Sequence, residues 1–217
     1  MKNQLQDRSK PLVYLITDRR QLRVPATSPD PTCLIEFAKR ASIAGVDLIQ
    51  IRERDLHAGL VLQITDEITK SVQPRGTRVL VNDRADIAAS AGCGVHLTTL
   101  SLDAGVVRAA FGSQILVGVS THSLEEAQKA EQQNADLIVF GPVFDTESKR
   151  EFGPPVGIES LRTVASSVAI PVLALGGINL TNMRATLDAG AAGVAGISMF
   201  ARAEDLGELV AAIKDIS

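Results

Sequence analysis

The feature that most constrains the fold is one short unit that recurs along the chain. Eight apolar runs rich in Val, Ile and Leu alternate with longer stretches of helical periodicity, and the runs lie at 13–18, 47–52, 78–83, 94–97, 115–120, 136–141, 171–177 and 193–198. Short, nearly continuous runs of this kind are typical of parallel strands buried on both faces. Ser123 and Glu126 mark a helical half of the unit, because they have the spacing of a capping box.

Eight strand–helix units in 217 residues predict an α/β protein, a single-domain (β/α)8 TIM barrel. The domain is expected to span 1–217, with 1–11 as a polar N-terminal extension. Hydrophobic residues make up 45% of the chain but aromatic ones only 3%, so the core must consist of Ala, Val, Leu and Ile. An open doubly wound sheet is the alternative. The absence of G-x-G-x-x-G after the first run makes it less favoured.

Composition and charge exclude several function classes. The net charge of −3, with acids and bases mixed, is not the pattern of a nucleic-acid binder. No apolar run reaches the roughly 18 residues that a membrane helix needs, and the polar first ten residues contain no secretory signal. We therefore expect a cytoplasmic protein, and a homo-oligomer stays open. Cys33 and Cys93 fit neither a disulfide nor a metal motif and are expected to be small core residues.

Residues capable of chemistry follow the strand ends, where a TIM barrel has its active site. They are Gln50, Arg52, Glu53, Arg54, Asn82, Asp83, His96, Ser120, His122, Thr146, Ser148 and Lys149. The last three lie in an unusually long connection, 140–157, which predicts a functional loop. Arg52, Arg54 and Lys149 offer three cations to a polyanion. Asp83 can hold Mg²⁺, which usually binds carboxylates together with substrate phosphates.

The last two strands end in uncharged, glycine-containing loops. These loops begin with Gly176, Gly177 and Ile178 and with Gly196, Ile197 and Ser198. Backbone amides in such loops bind phosphate, and the loops after strands 7 and 8 are the usual phosphate site of this fold. We therefore expect a phosphorylated small-molecule substrate. The alternative is that the glycines only permit tight turns.

Each polar candidate also has a purely structural alternative. Arg52 and Arg54 can be surface ion-pair partners of Glu53 and Asp55. Asn82 and Asp83 can cap the next helix, His96 and His122 can be structural, and Lys149 can be a solvated loop lysine. A shared position at one rim of one barrel favours the functional interpretation.

The residues that carry these expectations resemble a known family from Tyr14 to about Asp215. The segments Q-I-R-E-R (50–54), V-N-D (81–83), G-V-H-L (94–97), G-V-S-T-H (118–122), G-P-V-F-D-T-E-S-K (141–149) and G-G-I (176–178) are similar to those of the thiamine phosphate synthase and TenI thiazole tautomerase superfamily. The resemblance implies thiamine biosynthesis. The synthase joins hydroxymethylpyrimidine diphosphate to thiazole phosphate; diphosphate leaves first, and the thiazole nitrogen captures the pyrimidine cation.

The resemblance also implies a role for each matching residue. Gln50 would contact the pyrimidine, Asp83 would bind Mg²⁺, and Thr146 and Ser148 would lie beside the substrates. Arg52, Asn82, Ser120 and Lys149 would share the diphosphate, while Gly177, Ile197 and Ser198 would form the thiazole phosphate site. The long loop would close over the reacting cation.

Two departures from the synthase pattern favour the tautomerase. Arg54 replaces a lysine, and Ser101 replaces an aspartate that would be the second Mg²⁺ ligand. The tautomerase aromatises a thiazole carboxylate phosphate by proton transfer, for which His122 would be the acid or base. The retained diphosphate residues favour the synthase, which is the prediction. A barrel that binds thiazole phosphate without turnover is the third alternative.

Overall fold

The closed barrel that the repeated unit predicts is present. The computed structural model describes residues 9–22, 32–146 and 154–216. Within them, eight strands pair in chain order, each parallel to the next, and the last pairs with the first. The strands are β1 (Leu12–Ile16), β2 (Leu48–Ile51), β3 (Arg78–Asn82), β4 (Gly94–Leu97), β5 (Val117–Thr121), β6 (Leu137–Phe140), β7 (Val172–Leu175) and β8 (Gly193–Gly196). The open doubly wound sheet is thereby excluded.

Helices follow the strands and cover the outside of the barrel. They are α1 (Thr32–Ile43), α2 (Ala58–Val72), α3 (Ala85–Ser90), α4 (Ala104–Phe111), α5 (Leu124–Gln132), α6 (Ile158–Ser167), α7 (Met183–Asp188), α8 (Ser198–Ala201) and α9 (Leu206–Lys214), with short 3-10 helices at Arg19–Gln21 and Gln73–Arg75. None of the helices in these ranges is long and apolar enough to cross a membrane. The limits of the domain and its N-terminal extension stay a prediction.

Two apolar clusters stabilise the barrel because successive strand residues face opposite sides. The larger cluster lies between the strands and the helices and includes Val13, Ile49 and Val95. The smaller one fills the barrel interior, and it consists of Leu12, Tyr14, Ile16, Leu48, Leu80, Leu116, Leu137, Val139, Leu173 and Ala195. As the composition predicts, aliphatic side chains supply nearly all of this interior.

Gly193 allows the barrel to close between β8 and β1. A Cβ atom at this position would lie 2.1 Å from the carbonyl oxygen of Leu12. The two backbones pair at this point, with Leu12 opposite Gly193. A side chain at residue 193 would therefore separate the first and last strands.

The capping prediction for α5 is confirmed in one of its two hydrogen bonds. The Ser123 hydroxyl accepts a hydrogen bond from the Glu126 backbone N–H at 3.2 Å. The Glu126 carboxylate accepts from the backbone N–H of His122 at 2.6 Å, one residue before the cap. This second bond ties the end of β5 to the first turn of α5.

The two cysteines are half-buried rather than fully buried, and both pack against the outer cluster. Burial raises the pKa of the Cys93 thiol to about 12. Because the thiolate is the reactive form, Cys93 is unreactive at neutral pH.

Candidate active site

The carboxyl rim, the end of the barrel at which the strands finish, brings together polar residues from neighbouring strands. Gln50 on β2 donates from Nε2 to Asn82 Oδ1 on β3 at 2.9 Å. The Gln50 side chain is buried, and its Oε1 has no hydrogen-bond partner among the described residues. An unpaired buried acceptor costs about 1–3 kcal/mol. A ligand donor at this point of the rim would remove that cost.

Arg52 follows β2 and is not used in an ion pair within the described ranges. Burial and the neighbouring Arg54 lower the pKa of Arg52, although it remains a cation. Its backbone N–H donates to the Thr17 hydroxyl at 2.9 Å, which fixes the start of the loop. A partly desolvated cation without a carboxylate partner is suited to an anionic ligand.

The carboxylates beside Arg52 are neutralised by a residue from another loop. Arg19 donates to Glu53 Oε2 at 2.9 Å and binds both carboxylate oxygens of Asp55 at 2.7 and 2.6 Å. The Glu53 carboxylate also accepts from the Thr17 hydroxyl at 2.8 Å. The structural alternative in which Arg52 and Arg54 pair with these two acids is therefore wrong.

Asp83 directly follows β3 and has a strained backbone conformation. Its φ of 61° lies in the left-handed region that residues with a side chain rarely adopt, and its N–H donates to the His96 carbonyl at 2.8 Å. The side chain is exposed. Helix α3 begins after Arg84 without a side-chain cap, so the capping alternative for Asp83 is wrong. Strain of this kind is concentrated at functional sites.

Three buried or half-buried side chains form a hydrogen-bonded line from the interior to the rim. Tyr14 Oη lies 3.1 Å from His96 Nδ1, and His96 Nε2 lies 2.8 Å from Ser120 Oγ. Burial, with a smaller effect from Arg52, lowers the pKa of His96 to about 3, so the ring is neutral. Ser120 is the outermost member, and it lines a cleft of about 210 Å³ whose other walls include Asp103 at the start of α4 and Lys129 on α5.

His122 lies at the entrance to the long loop. The side chain is exposed, and Nδ1 is hydrogen-bonded to the Gly141 carbonyl, at the beginning of that loop. Its ring therefore connects the end of β5 with the loop after β6. The other ring nitrogen, Nε2, has no hydrogen-bond partner in the described part of the chain.

The one carboxylate between β4 and α4, that of Asp103, is engaged in an ion pair. The Ser101 hydroxyl accepts from the Thr98 N–H at 2.8 Å, which closes a tight turn. Asp103 precedes α4, and its carboxylate accepts from Lys129 at 3.0 Å. The described residues contain no cluster of three His, Cys, Asp or Glu that could hold a metal. Among the described residues, the donor set fits a Mg²⁺ ion held by one carboxylate, with ligand phosphate and water completing its shell.

The glycine loop after β7 packs against the loop after β6. Gly176 and Gly177 have φ values of 94° and 65°, and a Cβ atom at Gly177 would lie 2.5 Å from the Asp145 carbonyl oxygen. The Phe144 N–H donates to the Gly176 carbonyl at 3.0 Å. The tight-turn role of the glycines is thus real, and it leaves their amides available for a phosphate.

The amides at the two glycine loops have no backbone acceptor. In the described part of the chain, the N–H groups of Gly177, Ile178, Ile197 and Ser198 donate no backbone hydrogen bond. Ser198 is exposed, while Ile197 is half-buried and packs on the interior cluster. The arrangement is compatible with phosphate binding by both loops.

Three residues important for the site are not suggested by the sequence motifs. Tyr14 on β1 and Arg19, just after β1, lie far in sequence from their partners His96 and Glu53. Asn182 Nδ2 donates to the Gly177 carbonyl at 2.9 Å. Thr146 is half-buried in the loop after β6. Ser148 and Lys149 lie outside the described residues, so their predicted roles are untested.

The fold and the rim define a (β/α)8-barrel with an anion-suited active-site region at the carboxyl ends of its strands. The family model described as thiamine monophosphate synthase matches residues 13–200, and the chain belongs to that family.

Similar proteins agree with this membership. A Geobacter sulfurreducens protein provisionally named a thiamine-phosphate synthase is 44% identical over 187 residues, covering 86% of this chain and 84% of its own. A Roseiflexus protein named thiamine-phosphate synthase is 35% identical, covering 89% and 80%. A thiamine phosphate pyrophosphorylase structure from Pyrococcus furiosus aligns with a TM-score of 0.81 and 31% identity over 94% of each chain.

Proposed function

We propose that this protein is a thiamine-phosphate synthase. In this reaction the C–O bond of hydroxymethylpyrimidine diphosphate breaks, diphosphate leaves with the electron pair, and the thiazole nitrogen forms a C–N bond to the pyrimidine carbon. The observation that carries the proposal is Arg52, a half-buried cation at the carboxyl rim whose neighbouring carboxylates are already neutralised by Arg19. Family membership supports the same conclusion.

In this proposal, separate sets of rim residues bind the leaving diphosphate, the pyrimidine and the attacking thiazole phosphate. Arg52, Asn82 and Ser120 stabilise the negative charge that develops on the departing diphosphate, which is the main requirement of such a step. Ser148 and Lys149 are expected to join them from the long loop. Gln50 Oε1, which is buried and has no partner among the described residues, accepts a hydrogen bond from the pyrimidine. Arg54 adds exposed positive charge beside Arg52.

The thiazole phosphate occupies the opposite side of the rim in this proposal. The amides of Gly177, Ile197 and Ser198, which donate no backbone hydrogen bond in the part of the chain that the structure describes, bind its phosphate, with Gly176 shaping the turn. Both loops lack charged side chains, so the phosphate charge is met by amide dipoles. Asp83 would hold Mg²⁺, which neutralises diphosphate charge when bound. The enzyme is proposed to act in the cytoplasm on small phosphorylated molecules.

A specific observation favours the tautomerase as a second candidate. Ser101 closes a turn with Thr98, and Asp103 is engaged by Lys129, so neither provides a second metal ligand. His122 would then act as the proton-transfer group through Nε2. The tautomerase needs neither Mg²⁺ nor diphosphate binding, which separates the two candidates experimentally.

One set of assays distinguishes the candidates. Purified protein receives hydroxymethylpyrimidine diphosphate, thiazole phosphate and Mg²⁺, and thiamine phosphate is quantified. A second reaction contains only the thiazole carboxylate phosphate tautomer. Thiamine phosphate in the first reaction is the expected result. Conversion in the second reaction alone would identify a tautomerase, and thiazole phosphate binding with neither conversion would identify a binding barrel.

A further inference from the structure

The hydrogen-bonded line Tyr14–His96–Ser120 connects the barrel interior to the carboxyl rim. Tyr14 is fully buried on β1, His96 is 2% exposed on β4, and Ser120 is half-buried on β5. The two contacts measure 3.1 Å, from Tyr14 Oη to His96 Nδ1, and 2.8 Å, from His96 Nε2 to Ser120 Oγ. Of the three residues, Ser120 alone lines a cleft, whose other walls come largely from α4 and α5.

The direction of these hydrogen bonds follows from the Tyr14 proton. In the described part of the chain, His96 Nδ1 is the one acceptor within reach of the Tyr14 hydroxyl. If the ring instead donated to Tyr14, the phenol proton would face the aliphatic interior, which includes Leu80 and Leu137. A buried donor without an acceptor incurs its full desolvation penalty. Tyr14 therefore donates, and Nδ1 carries no proton.

The remaining proton assignments follow from this step. A neutral imidazole with an unprotonated Nδ1 carries its proton on Nε2. Nε2 then donates to the Ser120 oxygen, which leaves the Ser120 hydroxyl proton to be given to another acceptor. Ser120 has no other hydrogen-bond partner among the described residues.

We propose that Tyr14 and His96 are positioning residues that fix the Ser120 hydroxyl as a hydrogen-bond donor toward a phosphate oxygen at the carboxyl rim. The nature of the acceptor rests on the proposed function, whereas the direction of the hydrogen bonds does not. His96, which the sequence suggests as a candidate for substrate binding at the end of β4, acts in this proposal through Ser120 and not by contact.

The space around the His96 ring supports this assignment. A Cβ atom on Gly118 would lie 2.9 Å from His96 Nδ1 and 3.2 Å from Leu137 Cδ1. The absence of a side chain at Gly118 therefore leaves room for the His96 nitrogen that faces Tyr14. The ring is confined by packing as well as by its two hydrogen bonds, as expected for a group that orients another.

The hydrogen-bond direction is tested on the protein without ligand. ¹⁵N NMR of histidine-labelled protein reports which ring nitrogen carries the proton, and His96→Gln identifies the signals of His96. We expect the Nε2–H form in the wild type and loss of this strict preference in Tyr14→Phe, which keeps the ring shape but removes the donor. An Nδ1–H ring in the wild type would overturn the proposal.

The effect on the rim is tested with inorganic diphosphate and Mg²⁺ by calorimetric titration. Ser120→Ala and Tyr14→Phe should each weaken diphosphate binding, by about tenfold for Ser120→Ala. The double variant should bind no more weakly than Ser120→Ala alone, because Tyr14 acts only through Ser120. Thr65→Val is the matched control, since it removes a buried hydroxyl on α2 outside the barrel interior. It should leave diphosphate affinity unchanged.

If the fold-losses in diphosphate affinity of the two single variants multiply in the double variant, the proposed action of Tyr14 through Ser120 is overturned. If the wild type binds no diphosphate, the phosphate acceptor and the proposed function fail together, while the NMR result still decides the direction of the hydrogen bonds. Urea denaturation of Tyr14→Phe, followed by far-ultraviolet circular dichroism, shows whether the barrel still unfolds cooperatively; the near-ultraviolet signal cannot serve, because Tyr14 is the sole tyrosine and the chain has no Trp.

Discussion

The Arg19 guanidinium lies 2.9 Å from the Glu53 carboxylate and neutralises it within the loop after β2. The Glu53 side chain is 1% exposed and that of Arg19 is 15% exposed, so this ion pair is shielded from water. The same guanidinium binds Asp55 and lowers the pKa of that carboxyl to about 2. Arg52 lies in the sequence between β2 and these two acids. Because Arg19 pairs with both acids, Arg52 remains available to bind an external anion.

Replacing Arg19 should destabilise the protein strongly. Arg19→Met leaves the buried Glu53 carboxylate without its cation, which we expect to lower the free energy of unfolding by about 3 kcal/mol. Urea denaturation measures the change. Arg184→Met is the control, because Arg184 pairs with Asp188 on the surface at 3.0 Å, and exposed pairs contribute about 0–1 kcal/mol. Equal effects of the two substitutions would contradict a buried role for Arg19.

Gly177→Ala should disturb the packing between the loops after β6 and β7. The new Cβ atom would lie 2.5 Å from the Asp145 carbonyl oxygen and 2.7 Å from Phe144 Cβ. We expect the free energy of unfolding to fall by about 2–4 kcal/mol, because backbone strain and overpacking act together. Thiazole phosphate binding should weaken as well.

Gly76→Ala separates strain from packing. Gly76 also has a positive φ, 86°, but a Cβ atom there would meet nothing within 4 Å. Gly76→Ala should therefore lower the free energy of unfolding by only about 1–2 kcal/mol. Urea denaturation of both variants gives the comparison, and a Gly177→Ala loss no larger than that of Gly76→Ala would contradict the loop contact.

Because of His96, the free energy of unfolding should change with pH even at pH values above those at which carboxylates titrate. Its pKa is about 3 in the folded protein, against a reference value of 6.5. Between these values the unfolded state binds the proton first, so acidification favours unfolding. From pH 7 to pH 5 this should cost the wild type about 2 kcal/mol. His96→Gln should lack that component, and an identical pH slope in both proteins would refute the buried neutral ring.

Ser101→Asp should strengthen the dependence on Mg²⁺. The substitution adds a carboxylate at the position that the synthase pattern assigns to a second metal ligand, and it removes the hydroxyl that accepts from the Thr98 N–H. Titration of activity with Mg²⁺ should show half-saturation at a lower concentration. Asp103→Asn is the control, because the Asp103 carboxylate is paired with Lys129. An unchanged titration in Ser101→Asp would reject this ligand position.

The strand pattern was predictable because it is encoded locally. Each apolar run contains its own β-branched residues, and small residues such as Gly45 and Gly92 follow the preceding helices in left-handed conformations. The Ser123 cap was predictable for the same reason, since the interacting groups are three residues apart. Local signals of this kind repeat eight times here, and the closed barrel is their joint consequence.

Pairings between distant strands were not predictable from motifs. Glu53 is 34 residues from Arg19, and His96 is 82 residues from Tyr14. Strand register contains part of the missing signal, because His96 is opposite Asn82 on one side and Gly118 on the other. Alternation along β1 then directs Tyr14 to the same interior, but which of the inward residues meet depends on the closure of the barrel.

The most direct test of the proposed function is the stoichiometry of the two products. Protein is mixed with hydroxymethylpyrimidine diphosphate, thiazole phosphate and Mg²⁺, and thiamine phosphate and diphosphate are quantified together over time. We predict equal amounts of both products and, for Arg52→Met, a rate at least about tenfold lower. Arg75→Met, which alters an exposed arginine before β3 at the opposite rim, should react like the wild type. Diphosphate release without thiamine phosphate, or no release at all, would contradict the synthase assignment.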